Sequence, residues 1–294
     1  MNLIQTIIIA FVEGLTEFLP VSSTGHMIIA QNMLGVESTE FVKAFTIIIQ
    51  LGAIMSVIVL YWDRFFKINA NAIFDLDEMK GKSVFQKIGI AVKNLIRKYD
   101  FYWKLFIAFI PAAIIGLTFI KQIDSLLEDV FVVAIMLVLG GILMLFVDRL
   151  FARHDPDQSI STRKAFFIGL SQCVAMIPGV SRSMATIVGG MSQRLTRKTA
   201  AEFSFFLAVP TMFAATAYKL LALFLEPGGL DIIKENLLVL LIGNVVAFVV
   251  AMLAIKFFIE FVSRYGFMAF GIYRIVVGGI IIALSLAGYN LEFV

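Results

Sequence analysis

The segment EGLTEFLPVSSTGH, Glu13 to His26, sets two carboxylates, a proline, a run of hydroxyls and a histidine between apolar flanks. Glu13 and Glu17 are four residues apart, so a helix carries both on one face. Two carboxylates on one face repel unless a cation or a shared proton lies between them. Hard oxygen ligands suit magnesium or calcium, so Glu13 and Glu17 form a candidate site for a divalent cation, Mg2+ or Ca2+. The plainer alternative is a shallow helix end whose carboxylates are solvated. Beyond Pro20, Ser22, Ser23 and Thr24 would cap a second helix. Free backbone amides and the positive end of the helix dipole would then make an anion site. His26 changes protonation near neutral pH. Ser23 and His26 could serve as nucleophile and base, or His26 could itself attack phosphorus; spacing does not choose between them.

A second polar stretch, IPGVSRS at Ile177–Ser183, supplies what the first lacks. Arg182 is a permanent cation flanked by Ser181 and Ser183, with Thr186 one turn on. Its planar fork of donors matches phosphate. An ion pair from Arg182 to Glu13 or Glu17 is the plainer alternative, and it too would bring the stretches together. Gln172 stands roughly where the first region has its carboxylates and can contribute an amide. Two carboxylates, serines, a histidine, an arginine and two helix N-termini together describe a phosphate or diphosphate site.

The elements that must position these residues lie in a membrane. The 294-residue chain is 60% hydrophobic and 15% charged, whereas about a quarter of residues are charged in soluble domains. A net charge of +3 suggests no nucleic-acid partner, and the single cysteine, Cys173, forbids an internal disulfide. The apolar N-terminal stretch is not expected to be a signal peptide. No Lys or Arg precedes it, and Glu13 and Glu17 interrupt it. Six segments read as full spans, about 40–62, 104–121, 129–148, 199–225, 236–258 and 267–289. Two further apolar regions, about 2–33 and 165–192, are broken by LPVSSTG and IPGVSRS. Proline and its preceding residue disfavour continued helix. Each region therefore reads as two half-helices in a re-entrant hairpin, which is tolerated only in protein or against a wet cavity. A kinked full span is the alternative.

The predicted fold is an all-α polytopic membrane protein, with six transmembrane helices plus two re-entrant helical hairpins in an inverted-topology repeat. Residues 1–150 form the first repeat, with a basic cytoplasmic loop at about 63–103, and residues 151–294 form the second. GLTEFLPVSS weakly echoes GLSQCVAMIPGVSRS, Gly14–Leu15 matching Gly169–Leu170. With both broken regions re-entrant, the loops at one face carry 18 of the 24 Lys and Arg residues. That bias puts this face in the cytoplasm and both termini outside. Within the long loop, SVFQKIGIAVKNLIRKYDFYWK has the pattern of an amphipathic helix on anionic lipid. A phosphorylated molecule handled at membrane depth is most simply a lipid.

EGLTEFLPVSSTGH together with PGVSRSMAT closely resembles the paired signatures of the bacterial undecaprenyl-diphosphatase family, associated with bacitracin resistance. The resemblance covers essentially the whole chain. Met184 departs from it, standing where the second motif usually has glycine. The resemblance implies hydrolysis of undecaprenyl diphosphate to undecaprenyl phosphate and inorganic phosphate. The spent lipid carrier would thereby be recycled for peptidoglycan synthesis at the outer face of the bacterial inner membrane. It implies a divalent cation on Glu13 and Glu17, Ser23 or His26 as nucleophile or acid–base partner, and Arg182 as phosphate clamp. Ser22, Thr24, Ser181, Ser183, Thr186 and Gln172 would contact substrate, and bacitracin would compete for the polyprenyl diphosphate. A homodimer is compatible with the sequence. The rival reading is a polyprenyl-phosphate flippase built on the same repeat. It would need polar residues along the later spans, where Lys219, Asn244 and Arg274 are the chief ones and each could sit near an interface.

Overall fold

The computed structural model describes residues 1–37, 39–66, 83–127 and 129–289. It is helical, with no strand among the described residues. The first broken region forms α1 (Leu3–Thr16) and α2 (Ser23–Met33), followed by the span α3 (Glu40–Leu60). A short α4 (Trp62–Phe66) precedes α5 (Val84–Lys98), which leads to the spans α6 (Asp100–Thr118) and, across the short α7 (Ile120–Leu127), α8 (Val130–Leu150). The second broken region forms α9 (Thr162–Gln172), a 3-10 turn at Cys173–Met176 and α10 (Arg182–Ser192). The spans α11 (Arg197–Leu225), α13 (Leu237–Tyr265) and α14 (Met268–Leu286) complete the chain, with the short α12 (Gly229–Glu235) between the first two.

All six helices at the expected spans are long and apolar enough to cross a membrane. The chain is therefore a multi-pass membrane protein. The fifth span runs seven residues past its expected end, and the exposed pair Glu260–Arg264, 2.9 Å apart across one turn, lies in that extension. Both broken regions stop where proline was expected to stop them. At about 1.5 Å per residue, α1, α2, α9 and α10 reach only about 17–21 Å, short of a roughly 30 Å hydrocarbon core. α1 packs on α2 and α9 packs on α10, as the legs of hairpins. The basic loop is partly outside the described residues, which omit 67–82. Its described helix α5 starts with a Ser83–Gln86 capping box and ends on Arg97 and Lys98, cations that favour a helix C-terminus.

Lipid tails supply no hydrophobic drive between helices, so close approach at small residues does that work. Gly14 of α1 lies against the Ala247 carbonyl of α13, where a Cβ would meet that oxygen at 2.6 Å. Gly169 of α9 lies against the Ala108 carbonyl of α6, where the distance would be 2.1 Å. Gly141 and Gly271 pack α8 on α14 in the same way. Four helix pairs cross between the halves on these terms: α1 on α13, α3 on α13 (at Gly52 and Gly243), α6 on α9 and α8 on α14. α3 packs on α11, and at one end of that seam Tyr61, Phe65, Phe101 and Phe206 fill the space with edge-to-face rings.

Two of the polar residues in the later spans are tied to backbone elsewhere in the chain. Asn244 accepts the Gly52 amide at 2.8 Å across the α3–α13 contact. Arg274 is fully buried. Hydropathy could not reveal either partnership, because it depends on backbone groups brought close from distant helices and turns.

Candidate active site

The two hairpin turns meet. At both, a serine opens the second leg in a backbone conformation that non-glycine residues rarely adopt: Ser22 at φ 71° and Ser181 at φ 75°. Ser183 Oγ donates to the Leu19 carbonyl at 2.8 Å, tying the second turn to the first. Arg274 of α14 completes the tie. It donates to Pro20 O at 3.1 Å and Gly179 O at 2.8 Å, one carbonyl from each turn, and to Leu137 O and Met136 O of α8. A buried cation held by four carbonyl dipoles needs no carboxylate, and this one fixes both turns to the α8–α14 pair. Sequence reasoning missed this role. The only signal was a charge inside an apolar span.

A cavity of about 360 Å³ lies between the turns, α3, α6, α7 and α11. Glu17, Ser22, Ser23 and Thr24 line it from the first hairpin, and Gln172, Ser181 and Arg182 from the second. The Ser23 hydroxyl donates to Glu17 Oε2 at 2.7 Å. Glu17 Oε1 accepts Arg182 Nη2 at 3.3 Å, and Arg182 Nη1 donates to the Ser204 carbonyl at 3.2 Å. The guanidinium also stands 5.7 Å over the Phe18 ring. Its buried Nε has no partner among the described residues. Gln172, three residues after Gly169 as Glu17 is three after Gly14, exchanges hydrogen bonds with Thr211 on the opposite wall. Gln50 of α3 and Thr211 of α11 also line the cavity and carried no sequence signal.

Four expected site residues stand beside the cavity and are not among the described residues that line it. Ser183 is spent on Leu19. Thr186 is fully buried, its hydroxyl engaged with the Arg182 carbonyl and Ser204 Oγ. It fixes α10 to α11. His26 shows no hydrogen bond to Ser23 among the described residues: Nδ1 faces the Ser22 carbonyl at 2.7 Å and Nε2 the Tyr273 hydroxyl at 2.7 Å. Glu13 is buried behind Glu17 and within hydrogen-bonding reach of it, with Oε1 unpartnered among the described residues. Met184 is accommodated, its sulfur lying where Gly140 of α8 has no side chain.

A cation fits the Glu13–Glu17 pair. Glu13 Oε1 is the buried oxygen left without a partner among the described residues, whereas both Glu17 oxygens are already engaged, by the Ser23 hydroxyl and the Arg182 cation. No cluster of three or more His, Cys, Asp or Glu side chains stands ready to hold a metal ion among the described residues. The remaining ligands would have to be substrate oxygens and water, as is usual for magnesium.

Chemically, the site offers a hydroxyl on a carboxylate base, an arginine with a spare donor, and the N-termini of α2 and α10. The family model described as bacitracin resistance protein BacA matches residues 6–280. The chain is 57% identical over 292 residues to an undecaprenyl-diphosphatase of Porphyromonas gingivalis, covering 99% of both chains. It is 51% identical to one of Flavobacterium psychrophilum, covering 97% of this chain and 96% of that one. A relative so named in Aquifex aeolicus is 40% identical, with 93% and 95% covered.

Proposed function

Because the chain belongs to the bacitracin resistance protein BacA family, we propose that it is an integral-membrane phosphatase. It hydrolyses undecaprenyl diphosphate to undecaprenyl phosphate and inorganic phosphate. The observation that carries this reading is the Ser23 hydroxyl on Glu17 at 2.7 Å, in a cavity whose other wall presents Arg182. A flippase would need no activated hydroxyl, and the relatives' names favour the hydrolase.

The terminal phosphate sits against Arg182 and the amides at the starts of α2 and α10, which neutralise its charge without reorganising. Ser23 Oγ attacks the terminal phosphorus while its proton passes to Glu17. The bond from phosphorus to the bridging oxygen breaks, and the lipid monophosphate leaves. Water then attacks the phosphoserine, the P–Oγ bond breaks as Glu17 returns its proton to Ser23 Oγ, and inorganic phosphate, carrying the protons of the water, is released with Ser23 and Glu17 restored. Glu13 and Glu17 would hold a divalent cation, Mg2+ or Ca2+, which would supply charge neutralisation to the diphosphate. Ser22, Thr24, Ser181 and Gln172 would contact substrate from the cavity wall.

The two hairpins are proposed to re-enter the membrane as corresponding parts of an inverted repeat, residues 1–150 and 151–294. The reciprocal helix crossings, α1 on α13 and α9 on α6, support it. Both termini are proposed to lie outside, with the cavity opening to the periplasmic face. Ile123 of α7, which connects α6 to α8 at the end opposite the basic loops, lines the cavity and supports this orientation. Bacitracin would act by sequestering the polyprenyl diphosphate substrate. Phosphate release from a polyprenyl diphosphate by the purified protein, with and without chelator, tests the reading. Release that Arg182→Ala abolishes is expected; no release from folded protein with metal supplied would overturn it.

A further inference from the structure

We infer that His26 is a positioning residue, not the base: with Tyr273 it locks the Ser22–Ser23 peptide so that the Ser23 amide faces the substrate phosphate. This rests on the phosphatase reading above. A carbonyl oxygen only accepts, so the 2.7 Å contact with the Ser22 carbonyl requires the proton on His26 Nδ1. In the neutral imidazole Nε2 is then an acceptor, and the Tyr273 hydroxyl donates to it at 2.7 Å. The two rings lie nearly parallel with centroids 5.4 Å apart, which further restrains the imidazole. Both ring nitrogens are thus occupied by partners other than the Ser23 hydroxyl, whose own proton goes to Glu17.

The local backbone explains why such a lock is needed. The residue before a helix ordinarily gives its carbonyl to the amide four residues on. Ser181 does so with Ala185, and Asn2, Thr39, Ser83, Ser161 and Thr196 do likewise. Among the described residues the Ser22 carbonyl shows no such backbone partner, and its side chain makes no cap either. The His26 imidazole stands in for that bond, at a residue whose φ of 71° is itself strained. In a trans peptide the carbonyl and the following N–H point in opposite directions. Holding the Ser22 carbonyl down onto α2 therefore holds the Ser23 N–H outward at the helix N-terminus, where the cavity lies. Tyr273 is next to Arg274 in α14, so two consecutive residues brace this turn, one through His26 and one through Pro20 O.

The test compares kcat for phosphate release by wild type and by His26→Ala, His26→Asn, His26→Gln and Tyr273→Phe, alongside pH profiles and thermal unfolding. Asparagine places an amide nitrogen at the δ position, and Asn32, Asn236 and Asn244 of this chain already donate from there to the carbonyl four residues back. His26→Asn is thus expected to stay within about fivefold of wild type with an unchanged pH profile. His26→Ala and His26→Gln, which lack that donor, should fall about 100-fold, the scale of a small misplacement of a reacting group. Tyr273→Phe should fall about fivefold. If His26→Asn is as inactive as His26→Ala in folded protein, or loses a limb of the pH profile, His26 is the base and the inference fails. Full activity in His26→Ala would equally overturn it. A wild type that releases no phosphate would instead remove the function on which it rests.

Discussion

Arg182 approaches the substrate with much of its fork already committed, to Glu17 and to the Ser204 carbonyl, so its direction is set before a phosphate arrives. Such preorganised donors typically contribute about 10²–10³ in rate. Arg182→Ala should lose at least that much in kcat. Arg182→Lys should recover little, because a point ammonium cannot hold Glu17, Ser204 and a phosphate oxygen at once. Ser23 and Glu17 form one unit across a 2.7 Å hydrogen bond. Their single substitutions, Ser23→Ala and Glu17→Gln, should each lose about as much activity as the double variant. A kinetic cycle checks this; additive losses would separate the two residues. Arg274 is a structural cation of another kind. Arg274→Lys would strand several of its four carbonyls, each at a cost of about 1–3 kcal/mol. The variant should show a clearly lower melting temperature in detergent and a loss of activity as the turns part.

The hairpins are only as well placed as the helices that carry them, and those contacts are made at glycine. A Cβ at position 169 would meet the Ala108 carbonyl at 2.1 Å and one at position 14 the Ala247 carbonyl at 2.6 Å, both rigid backbone atoms. Gly169→Ala and Gly14→Ala should therefore force α9 from α6 and α1 from α13. Gly169→Ala is expected to be the more damaging in thermal unfolding, since its approach is closer. Either substitution should lower kcat as well, since shifting α9 moves Gln172 and the turn leading to Arg182, and shifting α1 moves Glu13 and Glu17. The apolar lengths and prolines that define these elements were legible along the chain. The glycine contacts were not, because a glycine in a helix gives no hint of which carbonyl lies across from it.

For the molecule as a whole, the distribution of Lys and Arg predicts a sidedness that labelling can check. In a Cys173→Ser background, Leu230→Cys in α12 should react with a membrane-impermeant thiol reagent on intact cells. Arg153→Cys, in the loop before α9, should react only after permeabilisation. The reverse pattern would invert the proposed topology. Chelation should abolish phosphate release, and Glu13→Gln should raise the metal concentration needed for half-maximal rate. An unaltered metal requirement would remove Glu13 from the cation site.

By itself the sequence determined the membrane class, the six spans, the two breaks and the residues able to do phosphate chemistry. These follow from local properties: apolar length against bilayer thickness, proline against helix, and the donors and charges each side chain owns. The tertiary structure decided the partnerships. Glu17 reaches Ser23 across a break in the helix and Arg182 from the other half of the chain, while His26 turns from Ser23 to Tyr273. Arg274 finds its place among four carbonyls. Such pairings depend on distant backbone brought close by packing. Every residue presents the same carbonyl, so residue type alone cannot say which of them will be the partner.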